Sequence, residues 1–472
     1  MNEESFLIMS DKAQMMTYTS SKPQKKPKNK IRKERKGVRH RSMSRLLEQI
    51  LSDDNIEKAY KAVYANKGSA GVDGMSVYEL EGYLKENLDS IRDLIRNREY
   101  YPLPVRRVEI PKPNGKKRKL GIPAVVDRVI QQAMVQILSP LCEPYFSEYS
   151  YGFRENRSCE KAIIKVLEYL NDGYDYIVDI DLEKFFDNVP HDKLMSYVHN
   201  IINDGDTESL IYKFLKADVM IEGKRYKNEL GTPQGGNLSP LLSNIILNEL
   251  DRELEARGLR FTRYADDCVI LVGSSSAANR VMKSITSWIE RKLSLKVNAT
   301  KTKVVRPKDL KYLGFGFYFN PGSKTYRARP HEDSVAKFRR NLKKLTSRGW
   351  SIGFKERVVR LNQVIRGWIN YFAITDMKYI FKGKISPHLR TRLRIILWKQ
   401  WKVPSKRQWA LQKLGVSKDL ARVTAYCGNR YYWIAHRTCI SRAISKGKLS
   451  RAGLVDPLDY YITRHNLKLN QV

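Results

Sequence analysis

Two carboxylates stand side by side at the tip of a β-prone pair: Leu259-Arg260-Phe261-Thr262 and Val269-Ile270-Leu271-Val272 enclose Arg263-Tyr264-Ala265-Asp266-Asp267-Cys268. Short apolar runs around a polar break predict a hairpin whose turn carries acid. Tight hairpins ordinarily place Asn-Gly or Asp-Gly there, because the turn needs positive φ. Here Asp-Asp precedes Cys, and adjacent acids at a strand end repel each other. A cation or a basic ligand would offset that charge. On this stretch alone a solvated acidic turn explains as much.

A second acidic element, residues 174–187, changes the balance. Read as a strand, Tyr176, Val178, Ile180 and Leu182 form an apolar face, and Asp175, Asp179 and Asp181 lie on the other. A row of carboxylates bordered by hydrophobic residues is costly for a scaffold alone. Between the two elements, Gly231-Thr232-Pro233-Gln234-Gly235-Gly236-Asn237-Leu238-Ser239-Pro240 opens a helical pattern, and its glycines let a flat ligand approach the backbone. A loop with a helix cap is the plainer reading. Upstream, residues 102–123 read as strands about Pro113-Asn114-Gly115 with seven cations, among them Lys112 and Arg118, suited to phosphate.

The formal charge is +37, from 87 Lys and Arg against 50 Asp and Glu. Spread along 472 residues, that excess points to a polyanion, above all nucleic acid. No run of about 18 apolar residues or secretory signal is present, so a soluble, cytoplasmic protein with no membrane partner is expected. Five cysteines without a C-x-x-C pair indicate neither a disulfide framework nor a zinc ribbon. The glycine loop 66–74 lacks the Gly-Lys-Ser/Thr ending of a nucleotide-binding P-loop.

Residues 1–42 read as a basic disordered tail, and helical spacing begins at Ser44. Residues 127–141, 241–250 and 277–293 are predicted helices, residues 295–305 a strand pair and 311–319 an aromatic strand. Near Gly322 the period changes to 3.6, through 335–345, 358–372 and 389–401, each basic on one side. The interleaved Arg366, Trp368, Tyr371, Arg390, Arg394 and Trp398 suit a nucleic-acid backbone with stacking, although core packing accounts for most of the aromatics.

In order, Tyr151-Gly152-Phe153-Arg154, Asp181 to Asp187 with Asn188, Gly231 to Pro240, Tyr264-Ala265-Asp266-Asp267 and Tyr312-Leu313-Gly314-Phe315 make the chain resemble a reverse transcriptase. With Leu361-Asn362-Gln363-Val364-Ile365-Arg366-Gly367-Trp368-Ile369-Asn370-Tyr371-Phe372, it resembles the reverse transcriptase/maturase of bacterial group II introns, particularly the compact class C kind. The resemblance runs from about Ser44 to the C-terminus. It implies an α+β right-hand polymerase: fingers and palm with an antiparallel sheet (43–325), a helical thumb or maturase-specific domain (326–402) and a small C-terminal helical DNA-binding domain (403–472).

The resemblance further implies two Mg²⁺ ions, with Mn²⁺ a possible substitute, held by Asp181, Asp266, Asp267 and the Leu182 carbonyl, about 3.5 to 4 Å apart. Lys112 and Arg118 would hold the triphosphate, Gln234 would line the deoxynucleotide pocket and Phe185 would exclude a 2′-hydroxyl. Lys301 would assist pyrophosphate departure, and Asp179 would support the carboxylates. Arg106, Arg107, Gly235, Gly236, Arg366, Arg390 and Arg394 would contact nucleic acid. The implied partners are group II intron RNA, an RNA template with DNA primer, deoxynucleotides and a DNA target; the implied roles are cDNA synthesis, splicing and retromobility. The sequence ends without the Cys- and His-bearing nuclease domain of longer members, so priming would draw on another source, such as a nascent strand. Two competing readings are a domesticated reverse transcriptase in defence or diversity generation, and a splicing factor that only binds RNA.

Overall fold

The computed structural model describes residues 44–111, 115 and 117–469. Lys112 and the tail 1–42 lie outside the described residues. The first helical pattern breaks at Ser52, whose extended backbone (φ −60°, ψ 150°) separates helices Arg45–Leu51 and Asp53–Asn66. Ten strands are formed among the described residues: β1 (Val105–Pro111), β2 (Lys117–Ile122), β3 (Tyr176–Ile180), β4 (Val219–Ile221), β5 (Lys224–Tyr226), β6 (Arg260–Tyr264), β7 (Asp267–Val272), β8 (Lys303–Val305), β9 (Phe315–Asn320) and β10 (Thr325–Pro330).

The central sheet, in the order β6-β7-β3-β8, is antiparallel throughout. Its alternation serves two cores. Val178, Ile180, Cys268, Ile270 and Val272 join the core beneath helices Val125–Cys142, Ser239–Ala256 and Ser275–Trp288. On the opposite face, Ile177, Val269 and Leu271 join a second core with Phe315, Phe317, Leu361 and Trp368. The face expected to be acidic is thus interrupted by Ile177, with Asp175 paired to Arg306 at one end and Asp179 and Asp181 at the other. A carboxylate row continued under the second core would have stayed buried without partners.

The basic hairpin β1–β2 pairs from Arg106↔Ile122 to Pro111↔Lys117, and β4 adds to it in parallel, giving the order β2-β1-β4-β5. The aromatic strand pairs as β9–β10, reversing around Gly322. Packing does not break there, because Phe315 meets Phe372 with ring centroids 4.7 Å apart. Helices Glu332–Leu345, Phe354–Tyr371 and Ser386–Gln400 follow where the 3.6 period requires them. Phe338 stacks on Trp368 at 4.4 Å and 10°, which puts Trp368 in the core.

The expected strand pair over 295–305 is corrected to β8 alone. Asn298 Oδ1 accepts from the Thr300 N–H at 3.2 Å and from its hydroxyl at 2.8 Å, a local turn that takes this backbone out of a ladder. Short helices fill the chain after Pro404. Among the described residues no helix is long and apolar enough to cross a membrane.

Candidate active site

Antiparallel register brings the acids together. Ile180 pairs with Cys268 and Asp179 with Val269, so one further step puts Asp181 opposite Asp267 on the same face. Tyr264 pairs with Asp267, leaving Ala265 and Asp266 as the two-residue turn. The positive φ required there falls on Ala265 (φ +56°), where no glycine or asparagine had signalled it. Asp266 therefore lies in the turn, and Asp267, the first residue of β7, shares the face of Asp181.

Asp181 is fixed at several atoms. Its N–H donates to Thr302 Oγ1 at 3.1 Å, its carbonyl accepts from the Asn298 N–H at 2.8 Å, and its carboxylate accepts from Lys301 Nζ at 2.9 and 3.1 Å. Lys301 stands in the turn after Asn298 rather than in a strand. Asp266 and Asp267 have no ion pair among the described residues. Burial, then repulsion from Asp266, Asp179 and Asp181, pushes the Asp267 carboxyl up to about 7. Burial raises Asp266 too, against the pull of Arg118 and with the push of Asp181. Asp179 is pushed up to about 6, mainly by burial.

This donor set suits a hard divalent cation, since three carboxylates crowd one another and only Asp181 is answered by a basic side chain. Among the described residues no three His, Cys, Asp or Glu side chains converge as a ready-made metal cage. The set is open, as befits an ion that draws further ligands from phosphate and water.

The Gln234 loop joins three elements around these acids. The Gly121 N–H donates to the Gln234 carbonyl at 2.8 Å. With its amide turned to satisfy both ends, Gln234 accepts from Arg118 Nε and Nη2 at 3.2 Å and donates to the Lys119 carbonyl at 3.1 Å. Gly235 has φ +126°, and a Cβ there would meet the Gly121 carbonyl oxygen at 2.4 Å, so only glycine fits. The Gly236 N–H closes the loop onto the Pro233 carbonyl at 3.0 Å. The Thr232 N–H donates to the Phe186 carbonyl at 2.7 Å, tying the loop to helix Phe185–Asn188. Phe185 is buried against Phe186, with centroids 5.1 Å apart. The Leu182 side chain is buried, and its backbone bridges to Val297.

Several arginines expected on the nucleic-acid surface are committed inside the chain. Arg394 donates to the carbonyls of Ile444, Ala435 and Ser441, and Arg390 pairs with Asp456 at 3.2 Å. Arg106 donates to the Ala70 carbonyl at 2.6 and 3.1 Å, pinning the glycine loop to β1, and Arg107 lies 3.5 Å from Asp187. Helix ends and loop carbonyls need donors, and these guanidinium groups supply them. Arg366, on helix Phe354–Tyr371, is exposed.

Sequence reading missed the base on which the hairpin rests. Arg263 is fully buried, and all five of its donor hydrogens are used. Nε donates to Asp251 at 2.7 Å, and Nη2 to Asp251 at 2.5 Å and Ser150 at 2.8 Å. Nη1 donates to Asn244 at 3.1 Å and to the Ala265 carbonyl, inside the turn, at 3.0 Å. The available signal was Asn244, Asn248, Asp251 and Glu255 at three-to-four spacing along one helix, with Asn244, Asn248 and Asp251 buried.

A carboxylate-tipped hairpin on an antiparallel sheet, backed by an Arg-Gln loop, defines a nucleotidyl-transferring polymerase. Residues 110–317 match the family described as Reverse transcriptase (RNA-dependent DNA polymerase), and residues 335–415 match Group II intron, maturase-specific domain. The chain is similar to Protein YkfC of Escherichia coli (strain K12), with 34% identity over 307 residues, 57% of this chain and 81% of that one. It is also similar to the group II intron-encoded protein LtrA of Lactococcus lactis subsp. cremoris, with 39% identity over 225 residues, 48% of this chain and 37% of that one. A solved partial Cas6-RT-Cas1–Cas2 complex aligns at 24% identity over 52% of this chain and 42% of that one, with a TM-score of 0.34. The chain belongs to the group II intron reverse transcriptase/maturase family and is an RNA-directed DNA polymerase, a class that uses divalent metal ions.

Proposed function

We propose that this chain copies RNA into DNA from a primer 3′-hydroxyl at Asp181, Asp266 and Asp267, and that its basic surfaces bind the group II intron RNA that encodes it. The observation that supports the catalytic part most directly is the register that sets Asp267 opposite Asp181, with Asp266 beside them in the turn. These carboxylates and the Leu182 carbonyl would hold Mg²⁺, or Mn²⁺ in its place. Bound there, the ions would make the primer hydroxyl a better nucleophile and offset charge on the departing pyrophosphate.

The chain's own groups do the rest. Arg118, steadied by Gln234, presents a planar fork to the triphosphate, and Lys112 adds a point charge. Gln234, Gly235 and Gly236 hold a flat pocket wall for the deoxynucleotide, and Phe185 limits space beneath its sugar. Lys301, which pairs with Asp181 at 2.9 Å, would give a proton to the departing pyrophosphate. Fingers and palm over 43–325, thumb over 326–402 and a DNA-binding segment over 403–472 divide the labour in the cytoplasm of a bacterium. Arg366 and the exposed cations beside it would grip intron RNA through phosphate contacts, aiding splicing, and the terminal segment would meet the DNA target.

Asp266→Ala with Asp267→Ala should abolish metal-dependent cDNA synthesis on a primed RNA template while leaving intron RNA binding and splicing largely intact. Equal loss of both would refute the separation of polymerase and maturase roles.

A further inference from the structure

Within Tyr151-Gly152-Phe153-Arg154, three residues are buried and Phe153 is 50% exposed. Its φ is +58°, in the left-handed region where a bulky aromatic residue is an outlier. The ring belongs to neither core. Such a conformation persists only where the surroundings over-determine it, and it concentrates at functional sites.

The surroundings do so from both sides. Before it, the Tyr151 N–H donates to the Arg263 carbonyl at 2.8 Å, and Asn244 Nδ2 donates to the Gly152 carbonyl at 2.8 Å. Gly152 lies so close to the turn that a Cβ would come within 2.3 Å of the Ala265 nitrogen. After it, Arg154 is clamped to Glu143 at 2.7 Å and to the Ser150 carbonyl at 2.8 Å. The same two residues anchor Arg263 through other atoms, Asn244 Oδ1 and the Ser150 hydroxyl accepting from its guanidinium. One buried polar network therefore sets both the catalytic turn and the outward direction of Phe153. The ring reaches back to Tyr264, centroids 6.4 Å apart and planes at 46°. Tyr264 precedes Asp266 by two residues.

We propose that Phe153, seated on Tyr264, is a binding residue for the primer strand, forming an apolar floor against the sugars and base edges of its last nucleotides in the RNA–DNA hybrid. The inference rests on the polymerase reading. A primer hydroxyl delivered to Asp266 and Asp267 brings the preceding nucleotides over the neighbouring exposed surface, and Phe153 is the aromatic side chain fixed there. An aromatic face suits this partner because it contacts any nucleotide irrespective of sequence.

The test uses the full chain in EDTA, so that binding is read without metal and without turnover. A fluorescent DNA primer annealed to an RNA template is titrated and followed by anisotropy. Phe153→Ala should weaken binding roughly tenfold, and Phe153→Trp should stay within about twofold of the parent. Phe153→Gly should weaken binding equally while melting no lower than the parent, because glycine adopts the required φ freely. With p-benzoylphenylalanine in place of Phe153, photo-crosslinks should map to the last two or three primer nucleotides. Unchanged affinity in both the Ala and Gly variants, or crosslinks confined to the template or to distant primer positions, would overturn the assignment. A parent chain that fails to bind the primed template at all would instead refute the polymerase reading.

Discussion

Two polar clusters lie back to back at the hairpin, one buried and one open to solvent, and they treat charge in opposite ways. Beneath the turn, Arg263 meets Asp251, Asn244, Ser150 and the Ala265 carbonyl with no donor left over. Above it, the carboxyls of Asp266, Asp267 and Asp179 are pushed upward, first by desolvation and then by neighbouring carboxylates, Asp181 acting on all three and Asp266 and Asp179 on Asp267. The satisfied cluster behaves as scaffold. The acidic one is offset only in part, by Lys301, Lys303 and Arg118, and retains a demand for positive charge that suits a cationic ligand.

The largest effect separating the clusters should come from Asp267→Asn. Loss of one carboxylate of the proposed metal-holding set should lower cDNA synthesis by roughly a thousandfold or more. The same change should stabilise the metal-free fold. The Asp267 carboxyl lies at about 7 in the folded chain against an ordinary value of 3.8. Between those values the folded state keeps a proton that the unfolded state has lost, so stability falls as pH rises from about 4 to about 7. Melting curves in EDTA should show a decline across that window that is smaller in Asp267→Asn. An identical pH trend in parent and variant would mean that neither desolvation nor the neighbouring carboxylates raise the Asp267 carboxyl.

Arg263→Met probes the opposite cluster. It leaves Asp251 buried without its partner and should cost about 3–5 kcal/mol, measured by denaturant unfolding. Most of that cost should vanish in Arg263→Met with Asp251→Leu, which removes both charges. Polymerase activity should stay low in the double variant, because the Ala265 carbonyl has lost its donor. Full activity there would show that the turn stands without the network.

The smallest contrast lies in the helical region. Arg394→Ala, which removes a donor to three carbonyls, should lower stability by about 1–3 kcal/mol with little direct effect on RNA affinity. Arg366→Ala should leave the melting temperature within about 1 °C and reduce the salt dependence of RNA binding by about one phosphate contact. Reversed outcomes would mean that exposure does not distinguish the binding arginines from the structural ones.

Much of this architecture was legible from local pattern. The period-2 stretch at Tyr176–Ile180, the apolar run within Asp267–Val272, the cationic hairpin and the 3.6 period after residue 330 each reflect neighbours a few positions apart. What periodicity could not reveal is which face of β3 stays wet. Tertiary packing covers Ile177 and leaves Asp179 and Asp181 at an open end. The β4–β5 pair was likewise invisible, since three-residue strands carry too little pattern and gain their place from β1.

The sequence by itself determined that acids would occupy a hairpin tip and a strand end, that a glycine-bearing loop would stand between them, and that the chain would carry a large positive charge. Only the tertiary structure decided which acids meet and which charges are already answered. Asp181 faces Asp267 through strand register, and Lys301 reaches Asp181 across 120 positions. Arg390 and Arg394 turn inward while Arg366 stays exposed. The physical reason is that periodicity reports the side on which a residue lies, whereas desolvation and ion pairing depend on what the rest of the chain brings to that side.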